Sequence, residues 1–326
     1  MKQLNCAVIG VGYLGRFHAQ KYQKISGVSL IGVCDVNAAA AQTVGDELNV
    51  PAYTNHRLLF DLVDAVSIAV STREHYAIAR EFMAHGIHVL IEKPMTETLE
   101  QARDLVELSA RMHVKCQIGH LERFNAARLA IGPYLHKPLF IDAQRLAPFT
   151  PRGADVNVIL DLMIHDIDLI QTMVNSPLRN IEAHGAVVLS RDIDIANARL
   201  TFENNCVANV SASRVSFKKE RKTRIFQANS YIVMDDQAQS FSVFTKGSGE
   251  MFPGIPNVEQ TQSTFESRDA LLEEITSFVE CVRNNTTPLV TAADGYAALV
   301  TADKITALIH RHLNVLEHDV HQMITD

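Results

Sequence analysis

The sequence predicts an α/β protein that begins with a doubly wound parallel sheet. Three observations carry this prediction. As far as residue 118, short apolar runs alternate with amphipathic stretches, and strands that alternate with helices form βαβ units on a parallel sheet. A glycine-rich turn stands between the first strand and the first helix. After residue 120 this alternation ends and a β-rich stretch appears, which indicates a second domain.

Within the first domain, the residues that follow each strand are the first candidates for a binding site, because ligands of such a sheet bind beyond the carboxyl ends of its strands. The predicted buried strands are Leu4–Ile9, Leu30–Cys34, Ala65–Val70, His88–Ile91 and Val114–Ile118. The predicted helices between them are Ala38–Leu48, Tyr76–His85 and Leu99–Met112.

The second part of the chain combines helices with alternating strands. Helices are predicted over Leu121–Ile131, Val158–Val174, Ala270–Val282 and Thr291–His312. Polar and apolar residues alternate in Ala196–Phe202 and Cys206–Ala212 on either side of a short turn, which predicts an antiparallel hairpin. Further strands are expected within Lys222–Phe244, and Gly247–Pro256 is expected to be an exposed loop.

Length and composition set the broad class of protein. The 326 residues approach the length of two average domains, and 47% hydrophobic residues supply a core. With 37 acidic against 30 basic residues the formal charge is −7, which argues against a nucleic-acid partner. No apolar stretch approaches the roughly 18 residues of a membrane span, so no membrane partner is expected.

Cysteine and histidine placement predicts neither disulfides nor a metal site. The five cysteines are scattered and never spaced as CxxC, and the 14 histidines include no HExxH motif. The N-terminal segment runs from a strand-like stretch directly into glycines, without the apolar region of a signal peptide. A reduced, cytoplasmic compartment is therefore expected.

The glycine-rich turn matches GxGxxG at Gly10, Gly12 and Gly15, between a strand ending at Ile9 and a helix beginning near Leu14. In this position the first glycine permits a tight turn, the second lets the backbone approach a pyrophosphate, and the third allows close packing of helix on strand. The helix N-terminus then faces the phosphates. The motif predicts a dinucleotide site, the alternative being a glycine turn without a ligand.

Asp35 lies 20 residues after Gly15, at the end of the second predicted strand. A carboxylate in this place accepts hydrogen bonds from the ribose hydroxyls and repels a 2′-phosphate. The next residues, Val36 and Asn37, include no arginine or serine. The pattern favours NAD over NADP, and the alternative is an aspartate that only caps a helix.

The turn after His88–Ile91 reads Glu92-Lys93-Pro94. It places Lys93 at the carboxyl end of a parallel strand, where ligands bind. A lysine there can hydrogen-bond a substrate hydroxyl and stabilise the alkoxide that builds up as a hydride leaves. In isolation, the same tripeptide is more typical of a solvated loop.

Asp161 and His165 lie four residues apart in a predicted helix, so they share one face of it. A carboxylate beside an imidazole fixes its orientation and raises its basicity, and such a histidine can take a hydroxyl proton as a hydride departs. The spacing alone is also typical of a polar helix N-terminus whose acids interact with the macrodipole.

The chain resembles the Gfo/Idh/MocA oxidoreductases over its whole length, in GVGYLGRFHAQ, AVSTREHYAIA, Glu92–Pro94 and the pair Asp161 and His165. The resemblance implies a Rossmann domain over 1–120 and a substrate-binding and oligomerisation α/β domain over 121–326, with an open, largely antiparallel sheet. It implies that Lys93 belongs to the catalytic centre and that His165 is the acid/base beside Asp161. The closing helix, about 291–312, is expected to pack back on the first domain.

The resemblance also implies NAD as the cofactor. The residues expected to bind it are Gly10, Val11, Gly12, Tyr13, Leu14, Gly15, Asp35, Val36, Val70, Ser71, His75, Glu92 and Lys93. Ser71 stands where the family has a proline, and Asp155–Asn157 and Met163 stand where it has glycines around the Asp–His pair. These departures indicate a pocket that differs from that of a standard sugar or inositol dehydrogenase.

The second half resembles the UDP-N-acetylglucosamine 3-dehydrogenase branch of this family, in GHLERFN, RLAPFTPRG, DLMIHDIDLI and IANARLTFENNCVANVSASRVS. The resemblance implies that NAD oxidises the 3-hydroxyl of a UDP-sugar and that a pathway aminotransferase then installs the 3-amino group used in lipid A. The expected substrate-binding residues are His120, Arg123, Asn125, Arg145 and Arg152.

The segment 214–224 carries six cationic residues in a net acidic protein. A charge run of this kind is usually a solvated face, and it is also suited to attract a diphosphate. Its role stays open at the level of sequence.

Two other functions remain open. An inositol or free-sugar dehydrogenase would use the same scaffold without any need for the basic run. A non-catalytic, dinucleotide-sensing regulator is a different class of protein, and the joint presence of Lys93, Asp161 and His165 speaks against it. An open sheet in the second domain would expose a face that a homodimer or homotetramer could cover.

Overall fold

The computed structural model describes residues 3–150, 156–266 and 268–325, with side chains as far as residue 315. The chain packs as two compact units. The first contains the chain up to Phe124 together with Asp269–Ala297, and the second contains Asn125–Arg268 and the chain from Ala298 onwards. The division into domains at residue 120 stays a prediction. By packing, the segment Asp269–Ala297 goes with the first unit.

Strands are found in both units. In chain order they are β1 (Leu4–Ile9), β2 (Val28–Cys34), β3 (Ala52–Tyr53), β4 (Ala65–Ile68), β5 (His88–Ile91), β6 (Cys116–Ile118), β7 (Pro138–Leu146), β8 (Leu178–Ala186), β9 (Ile195–Phe202), β10 (Val207–Ser213), β11 (Glu220–Gln227), β12 (Ser230–Asp235), β13 (Ser240–Phe252) and β14 (Ile255–Thr264).

In chain order the helices are α1 (Tyr13–Tyr22), α2 (Ala38–Leu48), α3 (Thr72–Ala84), α4 (Leu99–Met112), α5 (Ala126–Ala130), α6 (Ile164–Val174), α7 (Ala270–Asn284) and α8 (Ala292–Thr325). The helices α2, α4 and α7 match the predicted ones to within two residues, whereas α3 begins four residues earlier and α8 ends 13 residues later than predicted. Within the described residues, no helix combines the length and the apolar character that crossing a membrane requires.

The first unit is built on a six-stranded, all-parallel sheet with the order β3-β2-β1-β4-β5-β6. This order and the intervening helices confirm the predicted doubly wound domain. The strands read as continuous apolar runs because both faces are buried, as every residue of β4 is. The carboxyl ends of β1 and β4 lie side by side, since Ile9 pairs with Ile68.

A helix from late in the chain completes the core of this unit. On α7, Ile275, Phe278 and Val279 are almost fully buried in one cluster with residues of the first strands and of α1, including Leu4 and Tyr22. The buried face of α7 therefore belongs to the same core as α1, although about 250 residues separate the two helices in sequence.

The second unit is built on an eight-stranded mixed sheet with the order β14-β13-β12-β11-β7-β10-β9-β8. All neighbours are antiparallel except β7 and β10. The predicted largely antiparallel sheet is thus confirmed. Alternate residues of the central strands, such as Ile141, Ile225 and Ile232, are fully buried on one face.

The other face of this sheet carries a row of aromatic side chains. Phe140, Phe226, Tyr231 and Phe244 occupy paired positions on four neighbouring strands, with ring centroids 4.7 to 5.7 Å apart. Phe226 keeps 38% of its surface exposed. We refer to these four residues as the aromatic row.

Two local predictions are wrong. A single helix over Leu121–Ile131 is replaced by a 3₁₀ turn, Leu121–Phe124, and the short α5, because the Asn125 side chain caps α5 by accepting from Ala127 N and Arg128 N. The loop predicted over Gly247–Pro256 is largely paired strand. Its chain reversal is confined to the residues between β13 and β14, where Gly254 has φ +81°.

Candidate functional site

The glycine turn after β1 has backbone geometry that side chains would not tolerate. Gly10 has φ +82°, and a Cβ on it would lie 2.7 Å from the Ala69 carbonyl oxygen. A Cβ on Gly15 would collide with the carbonyl oxygen of Gly10, whereas Gly12 faces open space. The first and third glycines therefore allow close packing, and the second leaves room for a ligand beside the N-terminus of α1.

Asp35 lies at the carboxyl end of β2 and is hydrogen-bonded to this turn. Its Oδ2 accepts from Val11 N at 2.9 Å, and its Oδ1 accepts from Asn37 N at 2.8 Å. Each carboxylate oxygen has a further lone pair for a ligand. The predicted ribose-binding residue therefore also stabilises the glycine turn, a role that the sequence alone does not indicate.

A cavity of about 690 Å³ opens between these strand ends. Six of the residues predicted to bind the cofactor line it, namely Gly10, Gly12, Asp35, Val36, Val70 and Ser71. Two more carboxylates, Glu74 and Glu81, face it, and no lysine or arginine occurs among the described residues of its lining. The cavity fits a dinucleotide, and its negative charge disfavours a 2′-phosphate.

Four further residues of the predicted cofactor set, Val11, Tyr13, Leu14 and Gly15, lie on α1 or immediately before it. Val11 and Tyr13 line a neighbouring cavity of about 670 Å³ next to Gly12. Tyr13 is exposed and lies edge-on to Phe17, with ring centroids 5.1 Å apart. Leu14 is half-buried in the first turn of α1.

The turn after β5 holds Lys93 partly exposed between buried neighbours. Glu92 and Pro94 on either side are buried, and the Lys93–Pro94 peptide is cis. The Glu92 carboxylate forms its hydrogen bond inside the protein, where its Oε1 lies 3.0 Å from Nε2 of the fully buried His18. Burial opposes ionisation of Glu92, but the hydrogen bond and charge of His18 hold its pKa below the usual value. Glu92 therefore stabilises the turn from its buried side.

His75 links this turn to the chain after β4. Its Nδ1 lies 3.0 Å from the Pro94 carbonyl oxygen and its Nε2 3.2 Å from that of Val70. The ring is almost fully buried, and this burial lowers its pKa. A neutral ring donates to one of these oxygens. His75 therefore positions two segments of the cavity wall, and its contact with the cofactor stays a prediction.

Asp161 and His165 lie in the second unit at the start of the predicted helix, and the structure modifies the expected geometry. The segment Ile159–Met163 is a π turn, in which Ile164 N donates to Ile159 O, five residues back, and α6 follows it. Both side chains are partly exposed, whereas the adjacent Met163 is buried. π turns occur frequently at functional sites.

The residues predicted to bind substrate are engaged mainly by protein groups. Arg145 keeps 2% of its surface exposed and pairs with Asp166 at 2.7 and 3.0 Å. Asn125 caps α5 and Arg123 donates to Leu289 O at 3.2 Å. His120 is almost fully buried. Arg152 lies outside the described residues.

The six cations of segment 214–224 do not form one patch. Arg214 is buried and bonds Asp194 at 2.7 Å, while Arg224 bonds Asp142 at 3.0 Å from β11. Lys218 and Lys219 are exposed in the loop between β10 and β11, next to a fully exposed Phe217. Of the two interpretations that the sequence left open, the structure places only Lys218 and Lys219 among these residues on an exposed loop that could meet a diphosphate.

Two polar residues of the first unit are not singled out by the sequence: His18, which pairs with Glu92, and Glu274, which is a buried acid. In the second unit, Asn157, one of the residues that replace the family's glycines, accepts from Leu160 N at 3.0 Å beside the π turn. His18 lies three residues after the last glycine of the motif, on the buried face of α1. That spacing was the available signal. The partners of Glu274 are far away in sequence.

Comparisons with known proteins agree with this geometry. Residues 4–120 match the description "Oxidoreductase family, NAD-binding Rossmann fold", and residues 130–233 match "GFO/IDH/MocA C-terminal domain". UDP-N-acetylglucosamine 3-dehydrogenase of Acidithiobacillus ferrooxidans is 39% identical over 86% of this chain and 90% of its own.

Two further similarities extend over nearly the whole chain. A solved structure of UDP-N-acetylglucosamine 3-dehydrogenase GnnA from Acidithiobacillus ferrooxidans superposes with a TM-score of 0.89 at 36% identity, covering 95% of this chain and 98% of that one. The scyllo-inositol 2-dehydrogenase (NAD(+)) of Bacillus subtilis is 26% identical over 90% of each chain.

Proposed function

The chain belongs to the Gfo/Idh/MocA family of NAD-binding oxidoreductases, and we propose that it oxidises the 3-hydroxyl of UDP-N-acetylglucosamine to a ketone. The observation that carries this choice of substrate is the 39% identity to a UDP-N-acetylglucosamine 3-dehydrogenase, which extends across 86% of the chain. The similarity therefore includes the second unit, where the family's substrate specificity is expected to reside.

NAD, when bound, accepts the hydride that leaves the sugar carbon. The protein groups that hold it are the main-chain donors at the N-terminus of α1 and the carboxylate of Asp35. The carboxylates of Asp35 and Glu74 in the cavity lining favour NAD over a cofactor with a 2′-phosphate.

Three side chains manage the proton of the sugar hydroxyl. As the hydride departs, the hydroxyl proton goes to His165 or Lys93, and the carbon–oxygen bond becomes a carbonyl. If His165 takes the proton, the ammonium of Lys93 stabilises the negative charge that develops on this oxygen; if Lys93 takes the proton, it reacts as the neutral amine and becomes that ammonium. Asp161 orients the imidazole of His165 and favours its protonated form. The reverse reaction returns the same proton.

The nucleotide part of the substrate needs cations that are not already paired inside the protein. Arg145 and Arg214 are buried in ion pairs, so we leave Arg145 out of the contacting residues. The exposed Lys218 and Lys219 are better suited to a diphosphate. A 3-keto product is a substrate for an aminotransferase, which fits a role in making 3-amino sugars for lipid A.

The experiment measures the formation of NADH by near-ultraviolet absorbance, with NAD, UDP-N-acetylglucosamine and a carbonyl trap that draws the oxidation forward. A sustained signal that disappears in Lys93→Met supports the proposal. A signal with inositols and none with UDP-sugars would replace the substrate. NAD binding without turnover of any of these compounds would favour a regulator.

We also propose that a second copy of the chain covers the aromatic row. Phe140, Phe226, Tyr231 and Phe244 present a continuous aromatic surface on the exposed face of the sheet, and aromatic residues are enriched in protein interfaces. A homodimer or homotetramer is the expected state. Sedimentation equilibrium that shows only monomer at micromolar concentration would reject it. The five unpaired, buried cysteines are compatible with the cytoplasmic location that we propose.

A further inference from the structure

Glu274 is a buried acid that the chemistry proposed above does not use. It lies on α7 without any exposed surface, and neither carboxylate oxygen has a hydrogen-bond partner within the described residues. An ionised carboxylate in this place would lack both water and donors, which is strongly unfavourable. Burial therefore favours the protonated form.

Two neutral polar groups, Gln117 and Tyr22, lie in the region of Glu274. Gln117 of β6 donates its Nε2 hydrogen to the main-chain oxygen of Glu274 at 3.3 Å, and the Oε1 of this buried glutamine has no partner in the described part of the chain. The Tyr22 hydroxyl of α1 is buried and lies 2.8 Å from Ser67 Oγ. These groups bring no positive charge to the carboxyl of Glu274.

Glu92 is the second buried acid of this region, and it retains its negative charge. The hydrogen bond from His18 and the charges of His18 and Lys93 lower the pKa of Glu92 although burial opposes this. Burial first, and then the negative charge of Glu92, hold the pKa of Glu274 well above its usual value. Gln117, which contacts the main chain of Glu274, and Gly119, whose backbone packs against the Glu92 carboxylate, are two residues apart at the end of β6 and so lie on the same face. Two buried carboxylates on this face resist simultaneous ionisation, so the charge stays on Glu92.

Other charged or titratable groups occur on the elements around α7. They include Tyr13, Arg16, His18, Lys21 and Tyr22 of α1, Cys6 of β1, Glu92 and Lys93 after β5, and Glu122 and Arg123 of the 3₁₀ turn. Lys21 pairs with Asp269, and Arg123 lies 3.6 Å from Asp294. These two cations are thus engaged with other carboxylates.

Glu92 connects this buried region to the turn that carries Lys93. Its main-chain N donates to Ile68 O at 3.0 Å, and its Oε2 accepts from Lys93 N at 3.3 Å. A Cβ on Gly119 would lie 3.0 Å from the carboxylate, so the backbone of Gly119 packs directly against it. Any displacement of the Glu92 carboxylate therefore changes the support of Lys93.

We propose that Glu274 is held as the neutral acid at neutral pH and is a positioning residue for the turn that carries Lys93. Its proton keeps a second negative charge away from Glu92, and the pair of Glu92 with His18 then holds the turn. The part that concerns Lys93 rests on the proposed function. The protonation of Glu274 does not, and it can be measured without turnover.

The first test compares denaturant unfolding of the full chain with that of Glu274→Gln between pH 5 and 9. The folded-state pKa of Glu274 lies above the unfolded-state value, so wild-type stability falls as pH rises through that interval, whereas Gln is unaffected. The ratio of the wild-type to the variant unfolding constant should rise by up to about tenfold per pH unit until the folded-state pKa is reached.

Glu273→Gln is the matched control, because Glu273 is the exposed neighbour on the same helix. It should show no comparable slope. Glu274→Leu provides a second neutral variant should the glutamine not fold, with the same expected slope. A ratio that stays flat, or that falls as pH rises, would show that Glu274 is ionised in the native state and would overturn the proposal.

The second test concerns positioning and reads Lys93 itself. The rate at which an amine-reactive anhydride labels Lys93 is measured by peptide mass spectrometry against pH in wild type, Glu274→Gln and Glu273→Gln. Ionisation of Glu274 at alkaline pH should change this rate at least about threefold in wild type and in the Glu273 variant, but not in Glu274→Gln, with Lys24 as an internal exposed reference. Identical Lys93 profiles in all three proteins would overturn the positioning role.

Discussion

The two units use their charged residues in different ways. In the first, Asp35 and Lys93 follow the carboxyl ends of parallel strands and remain partly accessible. In the second, three arginines are buried in ion pairs, namely Arg128 with Asp236, Arg145 with Asp166 and Arg214 with Asp194. Recognition in the first unit depends on backbone position, whereas arginines of the second stabilise the unit itself.

Two arginine pairs illustrate this contrast, although the first unit also holds the buried pair of His18 with Glu92. In the first unit, Arg57 pairs with Glu81 at 2.7 Å while its side chain keeps 64% of its surface exposed. In the second, the Arg145 side chain keeps 2%. Charges that leave water require a partner, so a buried arginine is evidence of a structural role before a binding role.

The largest effect is expected at Lys93, a partly accessible charged residue of the first unit. Lys93→Met should lower kcat by about 10²- to 10⁴-fold, because the cation near the reacting oxygen is lost. Isothermal titration should show NAD affinity within about threefold of wild type, since the glycine turn and Asp35 are unchanged. Lys24→Met, an exposed lysine of the same unit, is the control. If Lys93→Met retains most of the rate, Lys93 has no catalytic role, and the proposed difference in function between the charged residues of the two units is wrong.

The second prediction concerns the buried arginine ion pairs of the second unit. Arg145→Met should reduce the free energy of unfolding by about 3–5 kcal/mol, because Asp166 would be left as an uncompensated buried charge. Urea unfolding measures this loss. The double variant Arg145→Met, Asp166→Leu should recover most of it. A KM for the sugar raised more than about tenfold at unchanged stability would instead identify Arg145 as a substrate contact.

The third prediction tests whether Asp35 serves the ligand as well as the turn. Asp35→Ala should weaken NAD binding by about 10- to 100-fold, because the hydrogen bonds that the charged carboxylate accepts from the ribose would be lost. It should also reduce the preference for NAD over NADP. Asp46→Ala, at an exposed position on α2, is the control. Unchanged affinity in a titration would mean that Asp35 only stabilises the glycine turn.

The smallest effect is expected for the exposed pair. The hydrogen bond from Arg57 lowers the pKa of Glu81 to about 2, against the effect of burial. Glu81 therefore stabilises the fold above its unfolded-state pKa and loses this contribution as pH falls from about 4.5 towards 2. Glu81→Gln should cost about 1 kcal/mol or less at pH 7. If thermal unfolding shows a larger loss of unfolding free energy in Glu81→Gln, this exposed pair contributes as much to stability as the buried ion pairs of the second unit.

The fold of the first unit was predictable because its sheet is buried on both faces. Continuous apolar runs identify such strands, and Leu4–Ile9 and His88–Ile91 match β1 and β5 without error. The strands β7 and β8 are not predicted from the sequence. In β7 the exposed Leu139 and the buried Arg145 break the hydropathy pattern although burial alternates from Ile141 onwards, and in β8 buried and exposed residues do not alternate regularly. The two-residue β3 is too short for any periodicity.

In the candidate site, too, some features can be predicted from the sequence and others cannot. Positions set by the backbone, such as Gly10 and Asp35, follow from motif and topology. Side-chain partners do not, because Arg128 and Asp236 are separated by 108 residues, and His18 and Glu92 by 74. No local pattern indicates that an arginine will be neutralised by an aspartate that far along the chain.

The return of α7 to the first unit has a consequence for synthesis of the chain. The core around Tyr22 lacks Phe278 and Val279 until the ribosome has added about 155 residues beyond Phe124. At 5–20 residues per second this takes about 8 to 30 s, during which the second unit's sheet is made while the first has an unfinished apolar surface. Nascent chains that stop between these points should depend on chaperones, and ligand binding by the first unit should begin only once α7 has emerged.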